Sequence, residues 1–168
     1  YDAATHTLTH VDFPDGSAVT YEYNDPNETA PKHNMTRALD ADGHVIEEHT
    51  YFGAGPDNDK AQTTQSDGGN YAYTLSYDSP TQTTVTNSLG TNTVYTLDSF
   101  KGVVTQSSGP GCASCGGGGT TATLTYDNFL NLRSVTDGRS VITEMTYDGK
   151  GNVLTRKEAK GTGRERTW

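Results

Sequence analysis

Seven times along the chain a turn glycine is followed, seven to nine positions later, by an aromatic or apolar residue that ends a strand-like segment: Gly16 to Tyr23, Gly43 to Tyr51, Gly69 to Tyr77, Gly90 to Leu97, Gly119 to Tyr126, Gly138 to Tyr147 and Gly161 to Trp168. Such a period restricts the fold more than any local motif does. Each copy is one supersecondary unit, too small to bury its own apolar face, so copies must stack on one another. Two copies laid together, "NMTRALDADGHVIEEHTYF" (34–52) and "NLRSVTDGRSVITEMTYD" (131–148), share an Asn, an apolar residue, an acidic turn with Gly and a closing Thr-Tyr. Units end near residues 23, 51, 77, 97, 126, 147 and 168, and residues 1–168 read as a single array of about seven.

Within a unit the apolar period is two. Tyr71, Tyr73, Leu75 and Tyr77 alternate with Ala72, Thr74 and Ser76, and Val19, Tyr21 and Tyr23 alternate with Thr20 and Glu22. That spacing lines one face of a strand and excludes helix for these segments. The bridging pieces "DFPDGS", "DADGH", "SDGGN" and "TDGRS" supply the Asp and Gly that tight turns use for positive φ, so each unit reads as a β-hairpin of two strands. Tyr21, Tyr23, Tyr51, Tyr71, Tyr73, Tyr77, Tyr126, Tyr147 and Trp168 are the expected repeat-core aromatics. Gly16, Gly43, Gly69, Gly90, Gly138 and Gly161 are the expected turn glycines. Stretches 25–33, 53–61 and 109–119, rich in Pro, Gly and Asn, read as surface insertion loops. The fold expected is all-β, tandem hairpins side by side in a curved, spiralling antiparallel strip.

Composition tests that reading against disorder. Leu, Ile, Val and Phe make up roughly 15% of the chain, below the ~20% at which disorder becomes a serious reading. Against it stand 28 threonines and ten tyrosines, residue types that suit a pleated, half-buried surface and are poor in solvated tails. The net charge of −9 repels a phosphate backbone, so nucleic acid is not an expected partner. No apolar run approaches the ~18 residues of a membrane span, and no signal peptide is visible. The chain opens on Tyr1-Asp2 without a methionine and reads as a piece of something longer.

The stretch "YDNFLNLRSVTDGRSVITEMTYDGKGNVLTRKEAKG" (126–161) resembles the YD-repeat, or RHS-repeat, family, with Tyr-Asp pairs at Tyr1-Asp2, Tyr77-Asp78, Tyr126-Asp127 and Tyr147-Asp148. Tyr23-Asn24, Tyr51-Phe52, Leu97-Asp98 and the closing Trp168 depart from its pattern. The resemblance covers essentially the whole chain and implies an architecture: hairpins wound into a spiralling β-strip that closes as a hollow shell. In insecticidal toxin complexes and bacterial polymorphic toxins such shells enclose a toxic polypeptide, and related repeats occur in the teneurin adhesion proteins. Nothing here resembles the autoproteolytic region that releases the cargo. The chain is therefore expected to be wall rather than payload.

Cys112 and Cys115, within "GPGCASCGGGG" (109–119), are the strongest candidate for chemistry. Covalent haem attachment requires His directly after the second Cys, where Gly116 stands. A thioredoxin-like site requires a helix N-terminus in a βαβ unit. A structural zinc site requires four ligands, and His6, His10, His33, His44 and His49 are all far upstream. A local disulfide or two free thiols are left. The resemblance implies the disulfide, since the family is often secreted or surface-exposed and has members with similar Gly-flanked insertions.

Other candidates have plain structural alternatives. Glu47 and His49 share a strand face and could act as acid and base, or only as a surface pair. Asp57, Asn58 and Asp59 could hold Ca²⁺ but lack the spacing and closing Glu of a helix-loop-helix site. Asn27-Glu28-Thr29 and Asn34-Met35-Thr36 match the glycosylation acceptor form. Exposed tyrosine rings could stack on sugars.

The expectation is a structural, non-enzymatic segment without cofactor or metal, secreted or at the surface of a bacterial cell. Its partners would be flanking repeats of a longer chain and an enclosed toxin or other cargo polypeptide. The alternatives are an adhesive or filament-forming module that self-associates through exposed strand edges, and a sugar-binding or carbohydrate-acting protein.

Overall fold

The computed structural model describes residues 1–29, 32–109 and 120–168. The chain is all-β, as the period-two pattern requires: among the described residues there are fourteen strands, and helix is confined to two single 3₁₀ turns, Gly55–Asp57 and Asp67–Gly69. It divides into two units, Tyr1–Tyr77 with Val85–Gly90, and Asp78–Thr84 with Thr91–Trp168.

In the first unit β1 (His10–Asp12), β2 (Ala18–Glu22), β3 (Arg37–Leu39), β4 (Val45–Tyr51), β5 (Ala61–Ser66) and the greater part of β6 (Tyr71–Ser79) follow one another in chain order, each antiparallel to the next. Strand β7 (Gln82–Asn87) is divided between the two units. The second unit then runs through β8 (Asn92–Leu97), β9 (Val104–Gly109), β10 (Thr120–Tyr126), β11 (Leu132–Thr136), β12 (Ile142–Tyr147), β13 (Val153–Glu158) and β14 (Arg166–Thr167), again antiparallel in sequence order. Each unit is thus a strip of antiparallel strands built from hairpins.

Register follows the side-chain pattern. One row of directly opposed residues, Tyr21, Ala38, Glu47, Ser66 and Tyr71, crosses β2 to β6 on the tyrosine face. The neighbouring row, Glu22, Arg37, Glu48, Gln65 and Ala72, lies on the other face and is polar as far as β5. There the Gln65 amide donates to Glu48 at 2.6 Å, while Arg37 stands 3.4 Å from Glu22 and 3.7 Å from Glu48.

What the strips lack is an interior. Among the described residues Ala38 is the only buried hydrophobic side chain. A sheet within one layer has two faces and nothing to press either against, so period two sorts residues between faces without removing one face from water. Tyr71, Tyr73 and Trp168, expected in a core, are accordingly 62%, 41% and 70% exposed.

Candidate functional site

The repeated Tyr closes its own hairpin. The Tyr23 hydroxyl donates to the Leu8 carbonyl (3.0 Å), Tyr51 to Met35 (2.7 Å), Tyr77 to Ala61 (2.9 Å), Tyr126 to Val104 (2.8 Å) and Tyr147 to Leu132 (2.7 Å). Every acceptor lies at or just before the start of the preceding strand, at the open end of the hairpin. The ring thereby lies along the sheet while its hydroxyl satisfies a carbonyl that the ladder leaves unpaired. Burial, and then the negative field of Asp25, Glu28 and Glu47, raises the Tyr51 phenol above its ordinary value. Burial does the same for Tyr77, opposed by the Lys60 ammonium 4.6 Å from its ring centroid.

The residues on either side of this Tyr act in other directions. Preceding threonines reach forward to the next strand: Thr50 to the Thr63 hydroxyl (2.7 Å), Thr125 to Ser134 (2.6 Å) and Thr146 to Thr155 (2.6 Å). At the Tyr itself the register slips by one against that strand, at Thr50/Tyr51, Thr125/Tyr126 and Thr146/Tyr147. A bulge there re-aims the ring backward across its own hairpin. The following Asp folds the connection to the next unit. Asp127 Oδ1 accepts the backbone N–H groups of Phe129 (2.8 Å) and Asn131 (2.9 Å), and Oδ2 accepts the Asn131 side-chain amide (3.0 Å). Asp148 repeats this with Lys150 (2.8 Å) and Asn152 (2.9 Å for both bonds). These donors hold both carboxyls below the ordinary Asp value, the side-chain amide being the largest cause in each. The Asp-to-Asn spacing of four in "YDNFLN" and "YDGKGN" carries this signal in the sequence, and period analysis passes over it.

Turn glycines fall mostly where a left-handed residue is required: Gly16, Gly43, Gly69, Gly90 and Gly161 have φ between 73° and 94°. Gly138 does not. In the turn 137–141 the positive φ belongs to Ser140 (63°), which donates its N–H to the Asp137 carbonyl while the Asp137 N–H bonds Val141 O. Leu130, at the same point of the turn 127–131, has φ 66°. This is the three-residue loop that ends in a left-handed position, and that position lies two residues beyond Gly138.

Cys112 and Cys115, with nearly all of the 109–119 stretch, lie outside the described residues. Glu47 and His49 do share a face, their carboxylate and imidazole 3.3 Å apart. Asp57 is taken up by Lys60 (2.8 Å), and Asp59 accepts the Asn58 amide (2.7 Å), so these carboxylates serve their own turn. The Asn34 amide donates to Asp25 (2.9 Å), and Asn27 packs so closely on Gly53 that a methyl group there would stand 2.4 Å from its Cγ. Asp25 is the most buried side chain described, 1% exposed, and also accepts the Asn27 N–H at 3.0 Å. It ties Asn27 and Asn34 together, a role that sequence reading missed.

Among the described residues one cluster offers metal-ligand atoms within 4.8 Å of one another, Asp40, Asp42 and His44. Its central carboxylate is already committed, with Asp40 Oδ1 accepting from the N–H groups of Asp42 (3.0 Å) and His44 (2.8 Å) and Oδ2 facing His44 Nδ1 (3.2 Å). That is turn construction. Beside it a hollow of about 530 Å³ is lined by Asp40, His44, Val45, Ile46, Ser66 and Tyr71. A second hollow, of about 270 Å³, lies among Phe129, Asn131, Asp148, Gly149, Lys150 and Gly151. Among the described residues no helix is long and apolar enough to cross a membrane. No protein-family model matches the chain, and no curated protein matches it either.

Proposed function

We propose that the chain is a structural, non-enzymatic wall segment of the YD/RHS-repeat kind, part of a secreted or surface-exposed β-shell that encloses or presents another polypeptide. The observation that carries this reading is that five hairpins are each closed by their own tyrosine, through hydroxyl bonds of 2.7 to 3.0 Å, while only Ala38 is buried among the apolar residues described. A unit that secures its own open end and keeps both faces of its sheet accessible can be repeated without limit. Those are the requirements of a wall rather than of a solid domain. The acidic composition suits a face wetted by solvent.

Electron microscopy of the protein isolated from its source tests the proposal. The expected result is a hollow particle with a β-strip wall and a separate polypeptide inside it. Filaments that grow by strand addition at the edge of the strip would overturn the wall and establish the adhesive module instead.

A further inference from the structure

Three turns on one margin of the second unit are built alike. The β8–β9, β10–β11 and β12–β13 connections open on Asp98, Asp127 and Asp148, and the third residue of each is Phe100, Phe129 and Lys150. Alternate connections of an antiparallel meander lie at the same end of its strands, so neighbouring tips stand two strands, or roughly 10 Å, apart. Phe100 is 95% exposed, Phe129 84% and the adjoining Leu130 47%. Rings at such tips bury nothing within the chain and meet whatever surface approaches this margin.

The backbone beneath them needs no water. Asp98 Oδ1 accepts the N–H groups of Phe100 (2.9 Å) and Lys101 (2.7 Å), and the Gly102 N–H bonds the Asp98 carbonyl at 3.0 Å. In the next turn Phe129 and Asn131 donate to Asp127 Oδ1 at 2.8 and 2.9 Å, and Leu130 to the Asp127 carbonyl at 3.2 Å. Three successive amides at each tip are thus satisfied internally and add no desolvation penalty when the ring beside them leaves water.

The charges of the margin are mixed. Asp98, Asp127 and Asp148 stay ionised, since hydrogen bonds hold each carboxyl below its ordinary value. Lys101 and Lys150 stand in the same turns, so three carboxylates face two ammonium groups. That balance gives no attraction to an anionic surface and matches a zwitterionic one. Between the second and third tips, the hollow of about 270 Å³ sets Phe129, Asp148 and Lys150 around one space. An aromatic ring and a carboxylate favour a quaternary ammonium, and a lysine ammonium favours a phosphate.

We propose that this margin rests on a phosphocholine bilayer, Phe100, Phe129 and Leu130 entering the boundary between headgroups and acyl chains and one headgroup occupying the Phe129–Asp148–Lys150 hollow. The contact is peripheral, with no segment crossing the bilayer. It goes beyond the wall reading and does not depend on it.

Cosedimentation of the full chain with phosphatidylcholine vesicles tests it. Weak, reversible binding is expected, about that of a single acyl chain or less, ~10⁴ M⁻¹. Phe100→Ser/Phe129→Ser is expected to weaken it at least about tenfold, whereas Leu89→Ser, at a residue 87% exposed in the β7–β8 turn, leaves it unchanged. All three positions are exposed, and circular dichroism checks that the strands persist. Replacing half of the phosphatidylcholine with phosphatidylglycerol is expected to weaken binding, as the carboxylates require. Depth is read from Phe129→Trp, whose added emission is expected to be quenched by lipids brominated on their acyl chains, against a wild type in which Trp168 is the one tryptophan. No binding at millimolar lipid, binding that survives the double serine variant or needs the anionic lipid, equal weakening by Leu89→Ser, or an unquenched reporter would each overturn the proposal.

Discussion

Tyrosine, rather than any aliphatic residue, closes these hairpins because it combines a flat apolar ring with a donor at its far end. Tyr126→Phe and Tyr147→Phe keep the ring and remove the donor to Val104 and Leu132. Each is expected to lower stability by about 1 kcal/mol in chemical denaturation, whereas Tyr71→Phe, at a ring 62% exposed, is expected to change nothing measurable. Equal effects at all three positions would show that the hydroxyl bonds are incidental. The unit that ends in Leu97 has no such donor, and its closing residue instead gives a backbone N–H to Thr81 O at 2.8 Å. A second residue-scale test concerns backbone strain. Leu130 and Ser140 hold φ of 66° and 63° at positions where other turns place glycine. A left-handed L-residue costs roughly 1–2 kcal/mol, partly offset by the ~0.5–1 kcal/mol of chain entropy that glycine loses on folding. Leu130→Gly and Ser140→Gly are therefore expected to stabilise the protein by up to about 1 kcal/mol in thermal unfolding, with Leu130→Ala giving no gain.

At the scale of the element, the turns after Tyr126 and Tyr147 are Asp-Asn devices, and their protonation has a definite sign. Hydrogen bonds hold the Asp98, Asp127 and Asp148 carboxyls below the ordinary value of 3.8 in the folded chain. A depressed folded value means that the stabilisation is complete above the unfolded value of about 4 and is lost as pH falls through the folded values beneath it. Amide exchange at Phe129, Asn131, Lys150 and Asn152 is accordingly expected to accelerate below about pH 4, ahead of the strand amides. Unchanged protection there down to about pH 2 would mean that the backbone alone holds these turns. The hairpins themselves were legible from the alternation of Tyr71, Tyr73, Leu75 and Tyr77. The Asp-Asn clamp was not, because its partners are polar residues in a connection, where hydrophobic period carries no information. Gly138 was misplaced for a related reason. Turn composition announces that a turn exists, but its loop length decides which residue turns left-handed.

For the molecule as a whole, the decisive fact is how little is removed from water. With Ala38 the only buried apolar side chain described, the urea dependence of unfolding is expected to be shallower than that of a globular domain of the same 168 residues, because its slope scales with the area exposed on unfolding. A slope typical of a globular domain would mean that the chain in solution buries surface this structure leaves open. The sequence by itself determined the strand class, because period two and turn glycines are local and repeated. Only the tertiary structure decided what the tyrosine face meets. Alternation assigns a side chain to one side of a sheet, but burial requires a second layer. Whether one exists depends on residues distant in the chain, so Tyr71, Tyr73 and Trp168 share the pattern of core residues and lie in the open. The same distance dependence hid the partners of Tyr51 and Tyr126, whose acceptors lie 16 and 22 residues away and become neighbours only when the hairpin closes.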